Sequence, residues 1–186
     1  MSNEIAPILA ELRQDHRNMA KLLTLLEKQT EDIFDEGDGE LPLMIDIMRY
    51  MTVYPDTVHH PKEDQLYAEL RAARPDLSKG MARVTEEHHT IGERGLKLCQ
   101  KLEMAESGNA VRRKELVADA LRYIESLRAH MNWEESDLFR RLDKMLADGH
   151  GVLESSTFVN RHDPLFGTAV DERFQALHKA VDSNTD

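Results

Sequence analysis

Residues 5–33, IAPILAELRQDHRNMAKLLTLLEKQTEDI, carry mostly apolar side chains at alternating steps of four and three residues. This spacing places those side chains on one face of a long amphipathic α-helix. The residues on this face are Ile5, Leu9, Leu12, His16, Met19, Leu23, Leu26, Thr30 and Ile33. At about 1.5 Å per residue, such a helix extends roughly 45 Å.

A second helical stretch is predicted over residues 42–73. Gly37 and Gly39 interrupt the first pattern, and Pro42 suits the first turn of the next helix. Pro55 and Pro61 lie inside the second stretch, so we expect a kink or a short irregular turn there.

The same apolar periodicity returns over residues 81–105 and again over 116–145. The connections between the four stretches are short, and no alternating pattern predicts a β-strand. The sequence therefore predicts an all-α protein, an up-down-up-down four-helix bundle.

The composition changes after Asp148. The segment 149–167, GHGVLESSTFVNRHDPLFG, has the residues of a loop, and residues 170–181 predict a short fifth helix. We therefore expect a bundle domain over residues 1–148 and a tail over 149–186. The tail would cover one end of the bundle or meet a second subunit in a homodimer.

The composition excludes several functional classes. Asp and Glu outnumber Lys and Arg by 35 to 24, so the net charge of −11 disfavours a nucleic-acid partner. No apolar run is long enough for a membrane span, and the N-terminus has no signal-peptide pattern. Cys99 is the only cysteine, which excludes disulfides and cysteine zinc sites within one chain and favours the cytoplasm. Small molecules, metals and other proteins remain as partners.

Polar residues interrupt the apolar faces, and they form an internal repeat. The residues concerned are His16, His59, Glu63, His88, His130 and Glu134. His59 and His130 have the same sequence separation as Glu63 and Glu134, and the separation of His16 from His88 is longer by a single position. In each half, the glutamate follows a histidine by four residues and shares its helix face.

Hairpin geometry places these six residues at one level of the bundle. The midpoints of three pairs, His16–His59, Glu63–His88 and His88–His130, all fall in the predicted connections. Two buried carboxylates would repel each other without a cation. Four imidazoles and two carboxylates suit two borderline metals, such as iron, manganese or zinc, with the carboxylates bridging. Open positions would remain for an oxo or hydroxo bridge and an exogenous ligand.

The sequence resembles the hemerythrin-like, HHE cation-binding family over about residues 8–146. The resemblance rests on "QDHRNM", "HHPKED", "EEHHTIGE" and "HMNWEESDLF", read together. It implies a non-haem di-iron site with O2, NO or peroxide as the small-molecule partner. By this resemblance the metal ligands are His16, His59, Glu63, His88, His130 and Glu134.

The sequence departs from the oxygen-carrying hemerythrins in two ways. Those proteins have a second histidine four residues after the third-helix ligand, where this chain has Gly92. They also end with His-x-x-x-x-Asp, which would select Glu135, whereas the repeat selects Glu134. The loss of a fifth histidine implies a more symmetric, more open site. It resembles the four-histidine, two-glutamate sites of bacterial proteins that repair iron centres, although the cysteine-bearing N-terminal segment of those proteins is absent here.

Two further registers are ambiguous. His60 with Asp64 repeats the spacing of His59 with Glu63, and His89 follows His88. We choose His59 and His88, and we expect His60 and His89 to lie at the rim or behind the ligands.

Several other side chains are candidates for the core. Core packing is the preferred interpretation of Tyr54 and Tyr123, although either could reach the metals. We expect Cys99 to be a buried thiol.

Three functions fit this site. The first is a protein that binds O2 or a related oxidant for sensing, storage or stress response. The second is a di-iron enzyme that decomposes peroxide or reduces NO, or a protein that repairs iron centres. The third is a structural zinc bundle. The sequence leaves open whether the protein is an enzyme.

Overall fold

The computed structural model describes residues 3–35, 39–148, 152–153 and 162–184. Its helices are α1 (Ile5–Asp35), α2 (Leu41–Met51), α3 (His60–Ala73), α4 (Met81–Glu106), α5 (Arg113–Trp133), α6 (Phe139–Ala147) and α7 (Gln175–Ser183). Short 3₁₀ turns cover Pro75–Leu77 and Glu172–Phe174. The predicted all-helical fold is confirmed.

Two π-helical turns interrupt the long helical stretches. The first, Pro55–His59, connects α2 to α3, and its last turn closes with a bond from the His60 N–H to the Pro55 carbonyl. The second, Glu134–Leu138, connects α5 to α6. The first break agrees with the irregular turn predicted near Pro55. The second is a correction, because the apolar pattern predicted a continuous helix over 116–145.

The helices pack into a bundle. Helix α1 contacts α5, α2 and α6, while α4 contacts α2, α3 and α5. Close contact of α4 with α2 and α5 depends on Gly95, where a Cβ would lie 3.0 Å from the Tyr123 ring and 3.1 Å from the Thr52 methyl group. A larger residue here would require the Tyr123 ring or the Thr52 side chain, which directly follows α2, to shift by a few tenths of an ångström.

Two apolar clusters fill the bundle, and the predicted site lies between them. One cluster contains Leu12 and Val84, and the other contains Met19 and Ile91. Along α1 the buried apolar face leaves one cluster after Leu12 and enters the other at Met19. Along α4 the same change occurs between Val84 and Ile91. His16 and His88 therefore lie in a polar layer with apolar side chains on both sides, which raises the cost of leaving their charges unpaired.

The tail docks on the bundle through apolar and polar contacts. The predicted fifth helix is present as α7, which contacts α1 and α2 and buries Leu177 and Val181 in the larger cluster. Asp163 accepts a hydrogen bond of 3.1 Å from the Tyr50 hydroxyl and also binds the backbone N–H of Leu165. The division at residue 148 stays a prediction.

One short strand pair joins the N-terminus to the tail. Asn3–Glu4 (β1) pairs antiparallel with Val152–Leu153 (β2), although the sequence predicted no strand. Gly37 and most of the predicted loop 149–167 lie outside the described residues. In the described ranges, no helix has the combined length and apolar character needed to cross a bilayer.

Candidate metal centre

The structure brings all six predicted residues together from every long helical stretch. His16 lies on α1, and His59 ends the first π turn. Glu63 lies on α3, His88 on α4 and His130 on α5, while Glu134 begins the second π turn. All six side chains are buried, and the two glutamates are 0% exposed. Two buried glutamates at one level demand compensating positive charge.

Glu63 faces histidines with both of its oxygens. Its Oε1 lies 3.3 Å from His59 Nε2 and 3.5 Å from His16 Nε2. Its Oε2 lies 3.3 Å from His88 Nε2. The carboxylate is therefore shared between two groups of imidazoles, as a bridging ligand would be.

Glu134 is placed in the same way from the opposite helical stretch. Its Oε2 lies 3.3 Å from His130 Nε2 and 3.5 Å from His16 Nε2, and its Oε1 lies 3.9 Å from His88 Nε2. The Tyr67 hydroxyl donates a hydrogen bond of 3.1 Å to this Oε1. Glu134 therefore also contacts both groups of imidazoles.

The donor atoms of the six predicted residues fall into two groups that share Glu63. One group is His16, His59 and Glu63, and the other is Glu63, His88, His130 and Glu134, each with its donor atoms within 4.8 Å of one another. Most of these inward atoms are buried without a hydrogen-bond partner in the described structure: Nε2 of His16, His88 and His130, both oxygens of Glu63 and Oε2 of Glu134. Buried polar atoms are nearly always satisfied, so the donor set fits a cation in each group.

Each of the four histidines has an acidic partner on its outer nitrogen. The Nδ1 atoms of His59, His16, His88 and His130 donate to Asp15 (3.0 Å), Glu135 (3.1 Å), Asp64 (3.2 Å) and Glu87 (3.1 Å), respectively. In the neutral imidazole, this bond fixes the tautomer and turns the Nε2 lone pair inward. Carboxylate–histidine pairs of this kind are typical of metal-ligating imidazoles.

The acidic partners follow the same internal repeat as the six site residues. Asp15 and Glu87 each directly precede a histidine of the site, so they have the same sequence separation as His16 and His88. Asp64 and Glu135 each directly follow a glutamate of the site, and their separation equals that of the two glutamates. Each acidic residue therefore neighbours one site residue on its own helical stretch and orients a histidine on another.

The electrostatics of the layer show the need for positive charge. Burial alone would lower the pKa of His88, but the carboxylates of Asp64 and Glu63 outweigh it and raise the pKa to about 10. Burial likewise opposes the charge on Glu63, yet the neighbouring His59 and His16 hold the pKa of this carboxyl well below its usual value. A proton on His88 therefore supplies part of the positive charge that a metal ion would supply in its place.

Two of the three ambiguous registers separate clearly, Glu134 from Glu135 and His88 from His89. Glu134 points into the layer, whereas the Glu135 side chain is 37% exposed and contacts His16 from outside. His89 is exposed and pairs with Glu93. His60, expected at the rim or behind the ligands, is buried with its ring 4.1 Å from that of His88.

The sequence interpretation missed Tyr67 and the roles of the acidic neighbours. The sequence did contain a signal for the acidic neighbours, because an acidic residue lies directly beside four of the six site residues. The pairs are Asp15–His16, Glu87–His88, Glu63–Asp64 and Glu134–Glu135. Nothing in the apolar pattern distinguishes Tyr67 from a core tyrosine. Tyr54 and Tyr123 belong to the larger apolar cluster, and Cys99 is a buried thiol whose pKa is raised by burial.

Comparison with known families agrees with this geometry. The sequence matches the family described as Hemerythrin HHE cation binding domain over residues 8–142, a range that contains all six site residues. Searches among curated proteins and among solved structures gave no match. Since the match covers well over half of the chain, this protein belongs to the hemerythrin HHE cation-binding domain family.

Proposed function

We propose that the protein holds two iron ions in the polar layer and binds O2, or a related small oxidant such as NO or peroxide, for sensing, storage or stress response. The observation that carries the proposal is the convergence of two glutamates, each contacting both groups of histidines, with most of the inward donor atoms lacking a hydrogen-bond partner within the described part of the chain. Manganese and zinc are the alternative metals.

The donor groups indicate which residues would hold each ion. His16 and His59 would hold one ion and His88 and His130 the other, with Glu63 and Glu134 shared between them. We propose with this arrangement that the four long helical stretches run alternately up and down, because that order brings one level of every stretch into the layer.

Iron, when bound, would supply the change in oxidation state needed to bind or reduce a small oxidant. The surrounding residues set the conditions for that chemistry. The two apolar clusters cover the layer on both sides along the bundle. Tyr67 holds Glu134 in place and keeps its own proton, because burial and the nearby carboxylates of Glu134 and Glu63 raise the pKa of its hydroxyl well above the usual value.

Access from outside is available to small molecules. A cleft of about 430 Å³ is lined by His60, His88 and Gly92, among others, and a second of about 490 Å³ is lined by His130 and Glu87. A diatomic ligand or peroxide fits such openings easily. Together with the net charge of −11, this favours a small ligand over a nucleic acid.

Anaerobic reduction followed by exposure to O2 tests the proposal. We expect a coloured iron protein whose spectrum changes on exposure to O2 and returns on degassing. Irreversible oxidation with peroxide turnover would instead identify an enzyme. Purification as a colourless zinc protein would identify a structural bundle.

A further inference from the structure

We infer that His60 is a fifth imidazole ligand, which binds the ion held by His88 and His130 and makes the two metal positions unequal. The inference rests on the proposed dinuclear site and assigns to it a residue outside the six predicted ligands. It also revises the expectation, drawn from Gly92, of a more symmetric centre.

His60 has the features that mark the other inward-facing histidines. Its Nδ1 donates to Asp56 Oδ1 at 3.2 Å, as the other four donate to acidic partners. The side chain is buried, and its Nε2 has no hydrogen-bond partner in the described structure. Its donor atom lies within 4.8 Å of those of His88 and His130. A buried imidazole that is oriented through Nδ1, and whose Nε2 has no hydrogen-bond partner in the described structure, is suited to coordination beside His88 and His130.

Gly92 makes room for this arrangement. A Cβ at residue 92 would lie 3.0 Å from Asp56 Oδ2, so a side chain there would require the carboxylate that orients His60 to shift by a few tenths of an ångström. The absence of a side chain on α4 thus allows an imidazole to approach from α3. Asp56, His60, His88 and Gly92 all line the same cleft of about 430 Å³.

The internal repeat shows that only one ion would gain this ligand. The repeat relates His59 to His130, so it relates the next residue, His60, to Met131, and by the same offset it relates Asp56 to Leu127. The half of the molecule related by the repeat therefore has neither the imidazole nor its acidic partner. One ion would have three imidazoles and the other two, and the second would keep more room for an exogenous ligand.

The test compares His60→Ala with His89→Ala in the full chain loaded with ⁵⁷Fe. His89 is the matched control, because its side chain is 80% exposed and pairs with Glu93. Since loss of an orienting partner alone weakens metal binding about 10–100-fold, we expect His60→Ala to weaken binding of one ion at least about tenfold. Mössbauer spectra should show two unequal iron environments in the wild type and a changed pattern in His60→Ala alone.

Two further measurements separate coordination from a merely structural role. Added imidazole should enter the cleft and restore the spectrum of His60→Ala. Gly92→Ala should alter the same iron environment with His60 still present, although alanine favours a helix more than glycine does. If His60→Ala and Gly92→Ala both leave the Mössbauer spectrum unchanged while His59→Ala loses metal, His60 is not a ligand. The proposed dinuclear site would then still stand. A wild-type chain that binds no metal would overturn the proposed function itself.

Discussion

Replacing the acidic partner of a single histidine should weaken the binding of one ion. Asp15→Asn keeps the size of the side chain and an oxygen that accepts from the His59 Nδ1–H, 3.0 Å away in the wild type, but removes the negative charge. Such partners contribute about 10–100-fold to metal affinity, equivalent to about 1.4–2.8 kcal/mol. Glu87→Gln, its counterpart in the repeat, should have an effect of the same size on the other ion through His130.

The double variant gives the stronger test. If the two partners act on different ions, the free-energy losses add, and the product of the two binding constants falls about 10²–10⁴-fold. The assay is competition with a chelator under anaerobic conditions, followed for each ion. Glu93→Gln is the control, because its carboxylate pairs with the exposed His89. The reasoning fails if Asp15→Asn binds metal as tightly as this control.

Three further predictions concern the same layer. Glu134→Ala should remove most of the bound metal and Glu135→Ala far less, by elemental analysis, because only Glu134 points inward; equal losses would contradict the chosen register. Removing metal should lower the melting temperature by about 5–10 °C, since metal at 100 times its dissociation constant contributes about 2.7 kcal/mol; an unchanged value would argue against a buried dinuclear site. In the metal-free protein, the raised pKa of His88 stabilises the fold fully below about pH 6.5, and this contribution is lost as pH rises towards about 10. The melting temperatures at pH 6 and pH 9 should therefore differ more in the metal-free protein than in the metal-bound protein. The same difference in both forms would contradict this.

The apolar periodicity was sufficient to predict the helical fold, because each long stretch buries one continuous face. It could not predict the second π turn. That turn forms because the Phe139 N–H donates to the carbonyl of Glu134, five residues earlier, and not to the carbonyl four residues earlier as in an α-helix. The spacing of the apolar residues is compatible with either backbone arrangement.

The internal repeat was sufficient to select six residues of one layer, but not the residues around them. Side chains of adjacent residues in an α-helix point in directions about 100° apart. A helical pattern that places His59 on the buried face therefore predicts that His60 lies outside it. The packed structure buries both, because the ring of His60 stacks on that of His88 from α4. Such contacts depend on how the helices pack, and a single-helix pattern does not contain that information.

The most direct test of the central claim is a crystal structure of the iron-loaded protein with anomalous diffraction data at the iron edge. Our account predicts two iron peaks in each chain, both between the carboxylates of Glu63 and Glu134. One peak would lie beside His16 and His59, and the other beside His88 and His130. A single peak, no peak, or iron bound away from these two carboxylates would contradict it.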